Sequence, residues 1–386
     1  MIYIHIPFCE TFCTYCDFYS ETCTRPEDIN AFETALIREI RTRKTEILEN
    51  IERSENTLYI GGGTPSVLPP SFYKNILNEL SNLGVKSSFE EFTIEVNPED
   101  IVNGGETYVR DLLTLGVNRI SMGIQSFDDN ILKWMNRRHN AKSAEEAYCI
   151  LHRAGINNIS VDLIFGLSQL SADQWISTIN RALNIGGLGL LPEHISAYQL
   201  SVESGSTLAQ LVRRNKYKEA NQEVCAAQYS ILCEELKKAG YKHYEISNYA
   251  REGFESKHNS AYWNHSEYVG LGPGAHSLRL LNGSYIRSWN NDSLKDYIQA
   301  AKIMDFSSSK DYEDLTSDQL SIERLMLGLR TAKGLDENDL NSLASEDKIK
   351  EYLDEGILVK SSENRIRISE ESFFISDSIL RGLLTF

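Results

Sequence analysis

Three of the seven cysteines in this sequence stand in one short stretch near its start. MIYIHIPFCETFCTYCDFYS places Cys9, Cys13 and Cys16 in a C-x₃-C-x₂-C spacing, directly after an apolar run that is typical of a strand. Thiolates at this spacing can converge on one metal centre from a single loop. A structural zinc site normally needs four protein ligands, and this loop offers three cysteines and no histidine.

An iron–sulfur cluster held by three cysteines leaves one iron open for an exchangeable partner. An open iron can hold the amino and carboxylate groups of S-adenosylmethionine beside an electron source. Reductive cleavage of the sulfonium then yields a carbon radical. On the spacing alone, zinc or incidental buried thiols stay as the alternatives.

Further polar candidates follow the ends of later predicted strands. The apolar, β-rich runs are residues 1–7, 57–63, 91–98, 118–125, 158–166 and 193–200. Amphipathic helical patterns such as 26–48 and 143–155 separate them, which indicates βαβ units in a doubly wound sheet or an incomplete barrel. Because the carboxyl ends of parallel strands carry the site, residues 61–65, Glu95, Gln125 and Asp162 should share one rim. The absence of GxGxxG after the first strand disfavours a dinucleotide-binding site.

YIHIPFCETFCTYCDFYS resembles the radical S-adenosylmethionine signature YxHIPFCxxxCxYC of the oxygen-independent coproporphyrinogen III oxidase family, and the similarity covers nearly the whole chain. The resemblance implies an incomplete parallel (β/α) barrel with a small C-terminal winged-helix-like domain. It assigns a [4Fe-4S] cluster to Cys9, Cys13 and Cys16. The residues that it places around S-adenosylmethionine are Tyr3, Tyr15, Gly62, Gly63, Thr64, Glu95, Gln125, Arg137 and Asp162.

Two departures separate this sequence from the oxidases of that family. Phe18 stands where they carry a further cysteine, and the first strand begins at residue 2, where they have an N-terminal arm. Both departures match the heme chaperone branch, whose HNxxYW motif is present as KHNSAYW. The resemblance implies heme contact at His258, Tyr262 and Trp263, with an imidazole as iron ligand and two aromatics against the macrocycle.

The function that the resemblance implies is a heme chaperone, which binds heme and delivers it to an acceptor hemoprotein. A membrane respiratory enzyme is the expected acceptor, contacted peripherally at the inner membrane face. The alternative is a coproporphyrinogen III oxidase that removes propionate carboxylates. Whether the chain is an enzyme, whether it forms a dimer, and what Cys23 and His276 do are left open.

Composition limits the remaining function classes. With 41% hydrophobic and 24% charged residues and no targeting or membrane-spanning segment, the sequence predicts a globular cytoplasmic protein with reduced thiols. A net charge of −16 disfavours nucleic-acid binding. We expect a radical S-adenosylmethionine core, a partial (β/α) barrel, over 1–235. A loop-rich region facing heme should follow over 236–305, and a winged-helix-like domain over 311–386. That last segment carries 17 acidic and 9 basic residues, which suits DNA poorly.

Overall fold

A nine-stranded, mostly parallel sheet forms the core of the protein in a computed structural model, which describes residues 1–22, 25–86, 88–307, 310–361 and 364–384. The strand order is β7-β8-β6-β5-β4-β3-β2-β1-β9. The strands are β1 (Ile2–Ile6), β2 (Thr57–Gly62), β3 (Glu91–Val96), β4 (Arg119–Gln125), β5 (Ile159–Phe165), β6 (His194–Gln199), β7 (Lys242–Glu245), β8 (Asn248–Ala250) and β9 (Val269–Leu271).

Helices separate the parallel strands β1 to β6 in the sequence, and further helices follow β6. The helices of this part are α1 (Pro26–Thr42), α2 (Lys44–Arg53), α3 (Pro70–Leu83), α4 (Pro98–Thr114), α5 (Asp129–Trp134), α6 (Ala141–Ala154), α7 (Ala172–Ala182), α8 (Thr207–Arg213), α9 (Gln222–Lys238), α10 (Lys257–Trp263) and α11 (Leu294–Ile303). A row of isoleucines crosses the first five strands in register, and all of them are buried. They are Ile4, Ile60, Ile94, Ile120 and Ile159. These side chains alternate with the polar residues of the site, so the apolar period sets which strand face points outward.

The sheet curves but does not close. Strands β1 to β6 are parallel neighbours, and β9 adds a parallel strand beside β1. At the other edge β8 pairs antiparallel with β6, and β7 pairs antiparallel with β8. Within the described ranges no strand pairing joins β7 to β9. The predicted incomplete parallel (β/α) barrel is therefore confirmed.

Two local predictions were wrong. The pattern over 26–48 predicts one helix, but the chain forms α1 and α2 with a break at Arg43. The buried Arg43 guanidinium pairs with Glu39 and Glu46 at helical spacing. It also donates to the carbonyl of Gly270 in β9, a tertiary contact that no helical period encodes. Within the region 236–305, which the sequence predicts to be rich in loops, residues 240–290 are instead built largely from short strands and α10.

The C-terminal part contains two small antiparallel sheets. The first joins β10 (His276–Leu281), β11 (Ser284–Asn290) and β12 (Lys310–Asp314). The second belongs to a winged-helix-like arrangement in the order helix, strand, two helices and a hairpin, which confirms that prediction. Its elements are α12 (Ser317–Leu329), β13 (Leu335–Asp336), α13 (Glu337–Leu343), α14 (Glu346–Asp354), β14 (Leu358–Ser361) and β15 (Arg365–Ile368), followed by α15 (Ser376–Leu383).

The division at 235, 305 and 311 stays a prediction. Strand β12, from the third predicted segment, pairs with β11 of the second. Searching the helices that the structure describes finds none that is both long and apolar enough to cross a membrane.

Candidate functional site

The cysteine loop follows β1 at the carboxyl edge of the sheet. One backbone hydrogen bond joins the two ends of the loop, from Cys9 N to Glu21 O at 3.1 Å, and a second holds its middle, from Thr14 N to Met135 O at 3.0 Å. All three cysteines of the motif are partly buried. Burial raises the pKa of the Cys9 thiol, and it raises the pKa of Cys16 to about 11. A positive metal centre or cation must therefore stabilise the thiolates that act as ligands.

The glycine loop at the end of β2 lies directly against the cysteine loop. Gly63 N donates to Ile6 O at 2.8 Å, and Thr64 N donates to Phe8 O at 2.7 Å. A Cβ on Gly63 would stand 2.6 Å from Phe8 O, and Gly62 has a positive φ of 109°. Glycine is thus required at both positions, because the backbones approach too closely for a side chain at one and the dihedral excludes most residues at the other.

Arg137 reaches from the loop after α5 to the cysteine loop. Its Nη1 donates to Cys13 Sγ at 3.1 Å, its Nη2 donates to Gly123 O at 2.6 Å, and its buried Nε has no partner among the described residues. The neighbouring Tyr15 hydroxyl has a pKa well above its usual value because it is buried. A buried guanidinium with an unused donor is suited to a carboxylate ligand.

Glu95 lies near the end of β3, facing the glycine loop. It accepts from Tyr59 Oη at 2.8 Å and from Gly62 N at 3.1 Å. Burial nevertheless raises its pKa to about 7, and the negative charge of Asp162 adds to this shift. This effect of Asp162 on Glu95 indicates that the two carboxyl groups face the same interior space.

Asp162 and Gln125 complete the rim on β5 and β4. Ser121 Oγ donates to the carboxylate of Asp162 at 3.1 Å, and burial raises the pKa of Asp162 to about 6. Gln125 adopts a positive φ of 72°, where the β4–β5 register shifts. A left-handed glutamine at a bulge is uncommon, and such strain is typical of a functional rim.

Tyr3 lies on β1, the strand that precedes the cysteine loop. Its hydroxyl and His5 Nδ1 are 3.1 Å apart, and His5 Nε2 lies 2.8 Å from Tyr19 O. Burial lowers the pKa of His5, so the ring is neutral and links Tyr3 to the end of the cysteine loop. We interpret His5 as a positioning residue for this loop.

The three cysteines do not form a site for a single ion. Over the described ranges, no three His, Cys, Asp or Glu side chains gather closely enough to hold one metal. A four-iron cluster does not need that convergence, since each thiolate binds a different iron. The free Nε of Arg137 and the side-chain-free cradle at Gly62 and Gly63 fit a zwitterionic methionine beside such a cluster.

His258 lies at the other end of the barrel. Its Nδ1 is 2.8 Å from Thr57 Oγ1, its Nε2 is 3.2 Å from Tyr262 Oη, and its backbone N–H donates to Glu91 Oε1 at 2.9 Å. Thr57 and Glu91 are the first residues of β2 and β3, so α10 closes the amino end of the sheet. The His258 side chain is almost fully buried, while Tyr262 and Trp263 are partly exposed.

Sequence reasoning missed two side chains that support the rim. Tyr59 and Ser121 hold Glu95 and Asp162, and each stands on the inward face of its strand. The signal was available in the strand period, because Tyr59 is two residues before Gly61 and Ser121 is opposite Glu95 in register. Cys23 lies outside the described residues. His276 is exposed on β10, with its ring stacked on Trp289.

Comparison with known proteins defines the class of this site. The family model for the radical SAM superfamily matches residues 3–182, the span from β1 to α7. The fold agrees, because coproporphyrinogen III oxidase (HemN) from Escherichia coli, described as a radical SAM enzyme, superposes with a TM-score of 0.77. That match is 20% identical and covers 100% of this chain and 89% of the oxidase.

Curated relatives narrow the class to one family. The heme chaperone HemW of Bacillus subtilis is 34% identical, with 86% of this chain and 84% of that protein covered. HemW of Lactococcus lactis is 32% identical over 99% of this chain and 96% of that protein. A bovine mitochondrial relative named radical S-adenosyl methionine domain-containing protein 1 is 30% identical over 100% of this chain and 87% of its own. The chain therefore belongs to the HemW heme chaperone family of radical SAM proteins.

Proposed function

We propose that this protein is a heme chaperone that holds a [4Fe-4S] cluster and S-adenosylmethionine at the barrel rim and delivers heme to acceptor hemoproteins. The observation that carries the proposal is the sequence similarity to HemW chaperones over almost the whole chain. Phe18, at a position where the oxidases carry another cysteine, supports a chaperone over an oxidase.

The rim residues each have a role in this proposal. Cys9, Cys13 and Cys16 would ligate three irons. When bound, the reduced cluster with its open iron would supply an electron to the sulfonium of S-adenosylmethionine.

Around the cofactor, the backbone of Gly62, Gly63 and Thr64 would lie beside the methionine amino group. Arg137 would pair with the carboxylate through its free Nε, while Asp162 would accept from ribose hydroxyls. Glu95, Gln125, Tyr3 and Tyr15 would line the remaining sides.

Heme contact by His258, Tyr262 and Trp263 stays a prediction. The His258 side chain is 1% exposed, and both ring nitrogens have partners, so iron ligation requires the ring to leave Thr57 and Tyr262. We further propose that the acceptor is a membrane respiratory enzyme, reached from the cytoplasmic side.

One anaerobic preparation tests the proposal against the oxidase. The reconstituted protein is titrated with hemin, incubated with coproporphyrinogen III under reducing conditions, and mixed in its heme-loaded form with an apo-hemoprotein. We expect a saturable Soret change and transfer of heme without formation of protoporphyrinogen. Robust decarboxylation, or no heme binding, would overturn the proposal.

The cluster assignment has its own test. Replacing Cys9, Cys13 and Cys16 by Ala should remove the iron and the visible charge-transfer absorbance of the reconstituted protein. Cys149→Ala is the matched control, because it removes a partly buried thiol from α6, outside the rim. Full iron content in the triple variant would contradict the assignment.

A further inference from the structure

A basic segment begins at the last residue of α8. Arg213, Arg214, Lys216 and Lys218 fall within six residues and are all exposed, in a chain of net charge −16. None of the four takes part in an ion pair with any described residue. Cations concentrated in this way produce a local positive field on an acidic protein, which favours an anionic ligand.

An open cavity of about 450 Å³ lies beside this segment, in the range of small-molecule sites. Its apolar wall is Ile131 with the paired rings of Trp134 and Tyr217, whose centroids are 4.9 Å apart. Lys216 and Lys218 line the same cavity from either side of Tyr217 in sequence. Ser168 N donates to Tyr217 Oη at 3.2 Å, which holds the phenol in place.

Elements that line or flank the cavity are hydrogen-bonded to the cysteine loop. Trp134 ends α5, and its carbonyl accepts from Thr14 Oγ1 at 2.9 Å, between Cys13 and Tyr15. Leu208 N, in α8, donates to Thr14 O at 2.7 Å. The elements that carry the aromatic wall and the basic segment are therefore both bonded to the loop that would hold the cluster.

We propose that this cavity is a docking site for the porphyrin macrocycle, with Trp134 and Tyr217 against its face and Lys216 and Lys218 paired with its two propionates. The proposal rests on the proposed function, since it names where the cargo of a heme chaperone would bind. Aromatic rings suit a flat apolar macrocycle, and lysines at the rim of a cavity suit its carboxylates. No axial ligand is required, so the site recognises the macrocycle with or without iron.

Binding without an iron ligand distinguishes the cavity from the predicted heme contact at His258. Binding through His258 depends on iron and on opening of a buried, hydrogen-bonded ring. Binding in the cavity depends on the propionates and on ionic strength, since the lysines are exposed. A metal-free porphyrin therefore reports on the cavity alone.

The test uses the full chain and protoporphyrin IX, followed by fluorescence titration at low and high salt. Lys216→Glu together with Lys218→Glu should weaken binding about tenfold at low salt, because each reversal removes an attraction and adds a repulsion. Lys142→Glu together with Lys237→Glu is the control of equal charge change, at exposed positions on α6 and α9 outside the cavity. The dimethyl ester of the porphyrin should bind the unaltered protein more weakly than the free acid does, but less weakly than the free acid binds the double variant, because the ester loses the attraction without adding a repulsion.

The outcomes distinguish this inference from the proposed function. If all variants bound protoporphyrin IX with the affinity of the unaltered protein, or if the ester bound as tightly as the free acid, the cavity assignment would be overturned. Hemin binding by the same protein would still support the chaperone proposal. Loss of binding to anionic vesicles in the Lys216 and Lys218 variant, with porphyrin binding unchanged, would also overturn it and indicate a lipid surface. Failure of the unaltered protein to bind both hemin and protoporphyrin IX would overturn both proposals.

Discussion

Replacing Gly63 by Ala tests how the glycine loop holds the cysteine loop. The new Cβ would stand 2.6 Å from Phe8 O and 2.9 Å from Ile6 O, and neither backbone atom can rotate away. Relief of the overlap must lengthen the hydrogen bonds that these carbonyls accept from Thr64 N and Gly63 N. Two weakened hydrogen bonds at about 1 kcal/mol each, with about 1–3 kcal/mol of overpacking, give a loss of roughly 3–5 kcal/mol in the free energy of unfolding.

Urea unfolding of the cluster-free protein and iron content after anaerobic reconstitution measure the two effects. Gly84→Ala is the matched control, because Gly84 caps α3 at a φ of 102° with nothing near its Cβ position. It should lose about 1 kcal/mol from backbone strain alone and retain full iron. If Gly63→Ala unfolded at the same urea concentration as the unaltered protein and bound iron fully, the account of this loop would be wrong.

Three further predictions concern Arg137 and Glu95 at the rim and His258 at the amino end of the sheet. Arg137→Lys should weaken S-adenosylmethionine binding about tenfold in equilibrium titration, because lysine cannot serve Cys13, Gly123 and a carboxylate together; unchanged affinity would remove Arg137 from the site. Burial raises the pKa of Glu95 to about 7, so the folded protein keeps a proton that the unfolded chain releases near pH 4.5. The free energy of unfolding should therefore fall by about 1–3 kcal/mol relative to Glu95→Gln as pH rises from about 4.5 to 7, and a pH-independent difference would contradict this. His258→Ala should lower the free energy of unfolding by about 2–4 kcal/mol in urea and, if the ring ligates heme, alter the Soret titration; an unchanged titration would exclude ligation.

The barrel could be predicted because its strands follow one another in the sequence and in the sheet. Each of β1 to β6 falls inside a predicted run, and a row of buried isoleucines gives the first five of these strands the same outward face. Sequence adjacency then brings Gly62, Glu95 and Asp162 to one edge without any knowledge of tertiary contacts. This rule is general for parallel α/β sheets.

The last three strands of the large sheet could not be predicted from the sequence, for a physical reason. Strands β7, β8 and β9 have four, three and three residues, which is too short to show a period of two. Their places are set by distant partners, since β9 pairs with β1 and β8 pairs with β6. The break at Arg43 has the same origin, because Gly270 lies 227 residues away.

The position of His258 restricts how heme contact at α10 could influence the rim. Six residues of β2 separate the ends at Thr57 and Gly62, about 17 Å at the usual rise of a strand. One side chain spans part of that gap: Tyr59 packs its ring 5.1 Å from that of His258 and donates its hydroxyl to Glu95. Displacement of His258 toward an iron atom would remove a ring neighbour of Tyr59. Because Glu95 also accepts from Gly62 N, a change at His258 would reach the glycine loop through the two hydrogen bonds of Glu95. The cavity at Trp134 is instead connected to the cysteine loop by a single hydrogen bond, from Thr14.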